Sequence, residues 1–191
     1  MAMLPREVIE SMGFASVGEN AQISDRASFY GISRIQLGHN VRIDDFCVLS
    51  AGVGGIEIGS YIHIAVYTSL IGAGRITLAD FCNLSSKVSI YSSNDDYSGV
   101  ALTNPMVPSG FTGVTHADVL LEKHVIVGCG SIILPGVILE EGVAIGALSL
   151  VSKSCEAFGI YAGNPARRIK ERKRDLLEIE KRLLHGRQTF K

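Results

Sequence analysis

The chain has 191 residues, 47% of them hydrophobic, which is enough for one sizeable core and indicates no second full domain. Its net charge of −1 disfavours a general nucleic-acid-binding protein, and no apolar run approaches the ~20 residues of a membrane-spanning helix, so we expect no membrane insertion. Four widely spaced cysteines fit no metal-binding pattern, so we expect free thiols in a cytoplasmic, reducing environment, with Cys47, Cys82 and Cys129 buried.

A short helical pattern over residues 4–12 predicts an N-terminal cap segment, 1–14. From residue 15 an aliphatic residue recurs every six positions, and small or β-branched residues follow four positions after most of the later ones. The later aliphatic residues are Leu121, Val127, Ile133, Leu139, Ile145 and Val151. The same register is found at Leu37, Ile43, Leu49, Ile58, Ile64, Leu70, Leu78, Leu84 and Ile90, with glycine-bearing insertions at 51–55 and 72–74.

A spacing of six residues between aliphatic side chains matches neither the period of an α-helix nor that of a simple β-strand. Three short strands per turn, with six-spaced side chains inside, form a triangular prism whose coils stack by parallel hydrogen bonds. The sequence therefore predicts an all-β solenoid over 15–163, with both ends capped.

One long segment, 91–120, interrupts the hexads, which then resume in register at Leu121. We interpret it as an excursion loop that leaves the prism and returns without disturbing the stack. A long loop on a rigid scaffold is more often functional than idle.

The C-terminal segment, 164–191, is predicted to form a basic helix and tail. Asn164 is a plausible N-cap, Pro165 fits the first helical position, and the helical pattern runs to Leu184. This segment holds 10 Lys and Arg against 4 Asp and Glu, whereas residues 1–163 hold 8 against 15. A solvated helix face and a role near an anionic ligand both fit this basic block.

The hexads, the long loop and the ending GIYAGNPAR at 159–167 together resemble the hexapeptide-repeat acyltransferases, near the galactoside, xenobiotic and polysaccharide-sugar acetyltransferases. The resemblance implies a left-handed parallel β-helix and a homotrimer with sites between adjacent prisms. It also implies transfer from acetyl-CoA to a hydroxyl or amino group of a sugar, nucleotide-linked or a glycan precursor, in surface polysaccharide biosynthesis.

In the resembled family the catalytic base is usually a histidine of the loop, and its place in the pattern falls here on Asp95. Two adjacent carboxylates, Asp95 and Asp96, could raise one pKa and suit an amino-sugar acceptor. His116, at the returning end of the loop, is the alternative base. Asn94, Tyr97 and the outward-facing hexad residue His124 are predicted to bind the acceptor.

The resemblance also implies the position of a coenzyme A groove. Small residues would let the pantetheine arm approach the backbone, and cations would bind the phosphates. The groove is expected to follow Gly128, Cys129, Gly146, Ala147, Ser152 and Lys153 and to end at Arg167 and Lys170.

Two alternatives use the same fold. A zinc enzyme like the γ-carbonic anhydrases would need three converging imidazoles, but only His116 and His124 are near each other in the sequence. A non-catalytic trimeric scaffold is the second alternative. We expect no metal.

Overall fold

Short strands stack into three parallel sheets in the computed structural model, which describes residues 2–188. Residue 1 of the predicted cap and residues 189–191 of the predicted tail lie outside the described residues.

The strands of the first four coils are β1 (Ser16–Val17), β2 (Gln22–Ile23), β3 (Ser28–Tyr30), β4 (Ile35–Leu37), β5 (Val41–Ile43), β6 (Val48–Ala51), β7 (Ile56–Ile58), β8 (Ile62–Ile64), β9 (Ser69–Gly72), β10 (Ile76–Leu78), β11 (Asn83–Leu84) and β12 (Ser89–Tyr91). The excursion loop contains β13 (Ser93–Asn94) and β14 (Thr115–His116). The remaining strands are β15 (Val119–Leu121), β16 (Ile126–Val127), β17 (Ile132–Ile133), β18 (Ile138–Leu139), β19 (Ala144–Ile145), β20 (Leu150–Val151), β21 (Gly159–Ala162) and β22 (Arg167–Glu171). Two 3₁₀ turns (Ile32–Arg34 and Ser109–Phe111) and two helices, α1 (Arg6–Ser11) and α2 (Asp175–Gln188), complete the elements.

Apart from the two strands of the loop and the last two strands of the chain, successive strands join three sheets in turn, so the prism has three faces. The first face runs β1-β4-β7-β10-β15-β18, the second β2-β5-β8-β11-β16-β19-β21, and the third β3-β6-β9-β12-β17-β20. The coils on either side of the loop stay in register, since Ile76 pairs with Val119 and Leu78 with Leu121. The predicted parallel β-solenoid with a C-terminal helix is confirmed, with about seven turns.

The six-spaced aliphatic residues form the core. All six of the later set, from Leu121 to Val151, are at most 3% exposed. The residues four positions later are also buried: Val125, Ser131, Val137, Val143 and Ser149. Removing such side chains from water stabilises the fold by roughly 1.5–3 kcal/mol for each large aliphatic one.

A residue with positive φ turns the chain at most corners of the prism, and the corners stack into three edges. The helix edge, between the first and second faces, carries Tyr61, Phe81, His124, Gly142 and Phe158 at this position. The open edge, between the second and third faces, carries Phe46, Tyr67, Lys87, Gly130 and Leu148. The loop edge, between the third and first faces, is where the excursion loop leaves the prism.

The C-terminal segment differs from the sequence prediction. The prediction of Asn164 as an N-cap and Pro165 as the first helical residue is wrong, because residues 167–171 form β22, which pairs antiparallel with β21. This pairing satisfies backbone groups of the last coil that would otherwise lack partners. The helix begins only at Asp175, whose carboxylate suits the positive end of the helix dipole.

The burial of each cysteine side chain depends on its position on the coil. Cys47 and Cys82 are buried, and burial raises the pKa of their thiols to about 11 and about 12. The prediction that Cys129 is buried is wrong: it lies exposed on the open edge, because the inward position of that corner is taken by Ser131. Among the described helices, none is long and apolar enough to cross a membrane.

Candidate active site

The excursion loop is closed at its base by a two-stranded antiparallel ladder. Ser93 pairs with His116 and Asn94 with Thr115. The Ser93 hydroxyl accepts a hydrogen bond from the backbone N–H of Ala73 at 2.7 Å, and its Oγ lies 2.7 Å from His116 Nδ1. The two ends of the loop are therefore fixed to each other and to the coil above.

A cavity of 450 Å³ lies between the start of the loop and the third face. The loop side provides two tyrosines and three polar residues at and just after β13. The prism side provides aliphatic side chains that point outward from the third face. The lining residues are Tyr91, Ser93, Asn94, Asp95, Tyr97, Ile132, Leu134 and Leu150. Three of the predicted acceptor-site residues, Asn94, Asp95 and Tyr97, thus share one cavity of the size that suits a small ligand.

The sequence analysis missed the aliphatic floor of this cavity. Ile132 and Leu150 precede inward-facing hexad residues and so must point outward, where an isolated prism would expose them. Alternation along the strands could have identified them, because large aliphatic residues at outward positions indicate a covered surface.

The two adjacent carboxylates of the loop have different surroundings. Asp95 is exposed and its carboxylate makes no hydrogen bond within the described residues. Asp96 accepts bonds from the Ser98 hydroxyl, the Ser98 N–H and the Ala101 N–H. These bonds hold the pKa of Asp96 far below its ordinary value, so Asp96 organises the turn and is a very weak base. The expectation that the adjacent charge raises a pKa does not hold for Asp96.

His116 stands at the base of the loop, outside the set of residues that line the cavity. The Ser93 hydroxyl accepts a bond from Ala73 and still has its own proton and a second lone pair, so it can donate to Nδ1 of His116 or accept from it. When Ser93 donates, a neutral His116 carries its proton on Nε2. In this tautomer the outer nitrogen is a hydrogen-bond donor and not a base.

His124 is not part of this site. It lies on the helix edge, 9% exposed, with its ring stacked on Phe81 at a centroid distance of 5.1 Å. Its Nε2 is 2.7 Å from a carboxylate oxygen of Glu180 on α2. The prediction of an outward, acceptor-binding histidine is therefore corrected: α2 folds back over the position that the hexad pattern leaves open.

The residues expected to form the coenzyme A groove divide between two edges of one chain. Gly128, Cys129, Gly146 and Ala147 follow strands of the second face, on the open edge. Ser152 and Lys153 follow β20 on the loop edge. A Cβ on Gly128 would lie 2.5 Å from the backbone nitrogen of Ala147, so coil stacking alone requires this glycine.

The basic residues of β22 are differently engaged. Arg168 forms ion pairs with Glu156 and Glu171. Lys170, like Lys153, is exposed and forms no ion pair within the described residues, and Arg167 donates only to the carbonyl of Ala166. Cations that are not neutralised by the protein can bind phosphates.

Known proteins similar to this chain define its class. No family model matches. A dTDP-4-amino-4,6-dideoxy-D-glucose acyltransferase from Escherichia coli is 59% identical over 180 residues, which cover 94% of each chain. AntD, an N-acyltransferase from Bacillus cereus, solved with dTDP and 3-hydroxybutyryl-CoA, is 45% identical with a TM-score of 0.93, covering 97% of this chain and 98% of AntD. An AntD variant solved with dTDP-4-amino-4,6-dideoxyglucose and coenzyme A gives the same TM-score, identity and coverages.

This likeness and the solenoid place the chain in one class of protein, the hexapeptide-repeat sugar acyltransferases. Within that class it belongs to the same family as the dTDP-4-amino-4,6-dideoxy-D-glucose acyltransferase. The predicted acyltransferase activity on a sugar, with acyl-CoA as the donor, is confirmed. Among the described residues, no three His, Cys, Asp or Glu side chains are grouped so that they could hold a metal ion.

Proposed function

We propose that this enzyme transfers an acyl group from acyl-CoA to the 4-amino group of a dTDP-4-amino-4,6-dideoxyhexose, forming an amide. The observation that carries the proposal is the exposed carboxylate of Asp95 in the cavity, which makes no hydrogen bond within the described residues. It stands at the place where the family resemblance implies a histidine base. The E. coli dTDP-4-amino-4,6-dideoxy-D-glucose acyltransferase and the AntD complex with dTDP-4-amino-4,6-dideoxyglucose support the same acceptor.

The chemistry of an amine fits a carboxylate better than the chemistry of a hydroxyl. A hydroxyl must lose its proton as it attacks the thioester, and a carboxylate is a poor base for that step. An amine attacks the thioester carbonyl through its lone pair, which forms the C–N bond. The C–S bond then breaks, coenzyme A leaves as the thiolate, and the proton that the nitrogen loses passes to this sulfur to give the free thiol. Asp95 can orient the amine by accepting a hydrogen bond from it and stabilise the positive charge that develops on nitrogen.

We propose that His116 supports this site as a donor. With its proton on Nε2, the imidazole can donate to the acceptor sugar or to the carbonyl oxygen as that oxygen becomes negative. Its fixed contact with Ser93 gives it a defined orientation. Asn94 and Tyr97 then bind the sugar from the loop side of the cavity.

The donor is proposed to bind along the small residues of the open edge, with its phosphates at Lys153, Arg167 and Lys170. Because these groups lie on different edges of one chain, a site shared between neighbouring copies accounts for them better than a site within one chain. We therefore propose a homotrimer. A cytoplasmic location and a role in surface polysaccharide biosynthesis accompany the proposal, since acyl-CoA and nucleotide sugars are cytoplasmic metabolites.

The decisive experiment compares dTDP-4-amino-4,6-dideoxyglucose with the matching 4-hydroxy sugar, each with acetyl-CoA and with 3-hydroxybutyryl-CoA. Products are measured by mass spectrometry, because the exposed Cys129 would react with thiol reagents. We expect an amide product only with the amino sugar. Equal turnover of the 4-hydroxy sugar would contradict N-acyl transfer, and the ratio of the two donors identifies the acyl group.

A further inference from the structure

The strand β22, which carries the proposed donor cations Arg167 and Lys170, buries none of its side chains. All of its residues are exposed. It pairs with β21 along one side, and no strand pairs with its other side among the described residues. An edge strand of this kind opens easily, because opening exposes little apolar surface. The position of the donor cations therefore depends on how the ends of β22 are anchored.

A β-bulge in this pairing places the two donor cations on one face of the sheet. Arg167 pairs with Ala162 and Lys170 with Ile160, and the register shifts between the two pairs. Ile160 and Ala162 lie on either side of the buried Tyr161 in β21, so both face outward, and so do their partners. In a regular strand, residues i and i+3 would point to opposite faces. The bulge thus allows both cations to contact one ligand, provided that the register is kept.

Arg172 follows β22 directly and fixes the end of the strand to the helix edge. Its N–H donates to the carbonyl of Phe158 at 2.6 Å. Its Nη1 donates to the carbonyls of His124 and Gly142, at 2.8 and 2.9 Å. His124, Gly142 and Phe158 are the corner residues of three successive coils on this edge. One arginine therefore holds three coils, and a shift of β22 by one residue would break all of these bonds.

The other contacts of β22 do not replace this anchor. At the opposite end, the N–H of Ala166 donates to a backbone carbonyl of β20 at 2.8 Å, which fixes only the start of the strand. The ion pair between Arg168 and Glu156 joins side chains that are 40% and 78% exposed, so water screens the charges and the contribution is small. Glu180 docks α2 through Lys123 and His124, which do not belong to β22.

We propose that Arg172 is a positioning residue for the acyl-CoA donor. Arg172 does not bind the donor itself. It keeps β22 in the register that turns Arg167 and Lys170 to the same face, so that both cations are in place before the phosphates arrive. Such preorganisation strengthens binding, because the strand is already ordered when the donor binds. The inference rests on the proposed function, since it assumes that the donor phosphates bind at these two cations.

The test measures the binding of coenzyme A to the intact protein by titration calorimetry, together with steady-state kinetics. Arg172→Lys keeps the positive charge, but its side chain is shorter and lacks the rigid guanidinium fork, so it should not reach both carbonyls. The dissociation constant of coenzyme A and the KM for acyl-CoA should rise about fivefold, which corresponds to a strand that holds the cations in place about a fifth of the time. The kcat at saturating donor should stay within about twofold of wild type.

Arg6→Lys is the matched control. At the opposite end of the prism, Arg6 also donates to backbone carbonyls, those of Gly18 at 2.6 Å and Val17 at 3.3 Å, but it adjoins no proposed binding residue. The thermal stability of Arg6→Lys should therefore fall like that of Arg172→Lys, while its affinity for coenzyme A stays at the wild-type value. An equal loss of affinity in both variants would indicate a general effect of stability and would overturn the positioning role.

A double-mutant cycle measures whether Arg172 acts through the two cations. Added to the double variant Arg167→Ala, Lys170→Ala, the change Arg172→Lys should weaken coenzyme A binding no further. The same additional loss as in wild type would overturn the inference. Wild-type affinity in Arg172→Lys, with weaker binding in the double variant, would overturn the inference and leave the proposed donor site standing. Wild-type affinity in both would overturn the donor site as well.

Discussion

The contact between α2 and the helix edge depends on Glu180, and replacing this residue by alanine should release the helix. One carboxylate oxygen of Glu180 accepts from Lys123 Nζ and the other from His124 Nε2, both at 2.7 Å. The side chains of Glu180 and His124 are only 12% and 8% exposed. Alanine at 180 would leave the buried imidazole without its partner.

The size of the effect follows from these contacts. A hydrogen bond to a charged group contributes about 1.5–3 kcal/mol, and the bond from Lys123, which is 43% exposed, contributes at the low end because water screens it. We therefore expect Glu180→Ala to cost about 2–3 kcal/mol in the docking of α2, which raises the open population of the helix about 30- to 150-fold.

Amide hydrogen exchange measures this directly. The amides of α2 should exchange faster by that factor, and those of the prism core should not change. Glu178→Ala is the control, because its ion pair with Lys181 lies on the exposed side of the same helix. If Glu180→Ala and Glu178→Ala both exchange like wild type, the Glu180 contacts do not hold α2, and the inference from their geometry is wrong.

The same contact should respond to acid. Burial raises the pKa of Glu180, but hydrogen bonds from Lys123 and His124 outweigh it and hold the pKa below the ordinary value. A carboxylate with a lowered folded pKa stabilises the docked state above its ordinary pKa of about 4.3, and this contribution is lost as the pH falls through the lower folded value. Wild-type α2 should therefore open below about pH 4, whereas Glu180→Ala should show little further change there.

Three other predictions concern catalysis and assembly. The double variant Arg167→Ala, Lys170→Ala should raise the KM for acyl-CoA about tenfold or more with little change in kcat. The rise in KM should be smaller when the donor is the acyl thioester of dephospho-CoA. An unchanged KM would mean that β22 is only a solvated basic surface. Asp95→Asn should lower kcat about 100-fold or more while the KM for acyl-CoA stays constant. His116→Gln should lower kcat much less, and the opposite ranking of the two variants would make His116 the base. Light scattering should give three times the chain mass of 20.5 kDa, and a monomer mass at micromolar protein would exclude the shared site.

The coils were predictable from the sequence because their physics is local and repeated. Each six-spaced aliphatic residue has the same inward environment, so Val127 and Ile145 report the same geometry as Ile43 and Ile64. The return of the chain after the loop was predictable for the same reason. A stacked coil admits only one register that keeps Leu121 inside.

The parts that were not predictable depend on contacts distant in the sequence. Proline after a possible N-cap indicated a helix at 165, but β22 found its partners in β21 on the last coil. An outward hexad position indicated an exposed His124, but Glu180, 56 residues later, covers it. The two loop aspartates are adjacent and chemically identical, and only the turn from Asp96 to Ala101 separates their roles. A single periodic pattern contains none of this information.

The charge division of the chain has a structural explanation that links the tail to the donor. Three of the four acidic residues of the tail form ion pairs within the fold: Glu171 pairs with Arg168 and Arg174, Glu178 with Lys181, and Glu180 with Lys123. These pairs neutralise cations of α2 and its surroundings but none of those at Lys153, Arg167 and Lys170. Among the described residues, Arg167 and Lys170 on β22 and Lys153 after β20 therefore remain without an ion pair near the end of the prism, where β22 crosses the last coil. In the proposed function, a donor with several phosphates is attracted to that end, and its pantetheine arm follows the open edge of one copy towards the loop cavity of a neighbouring copy.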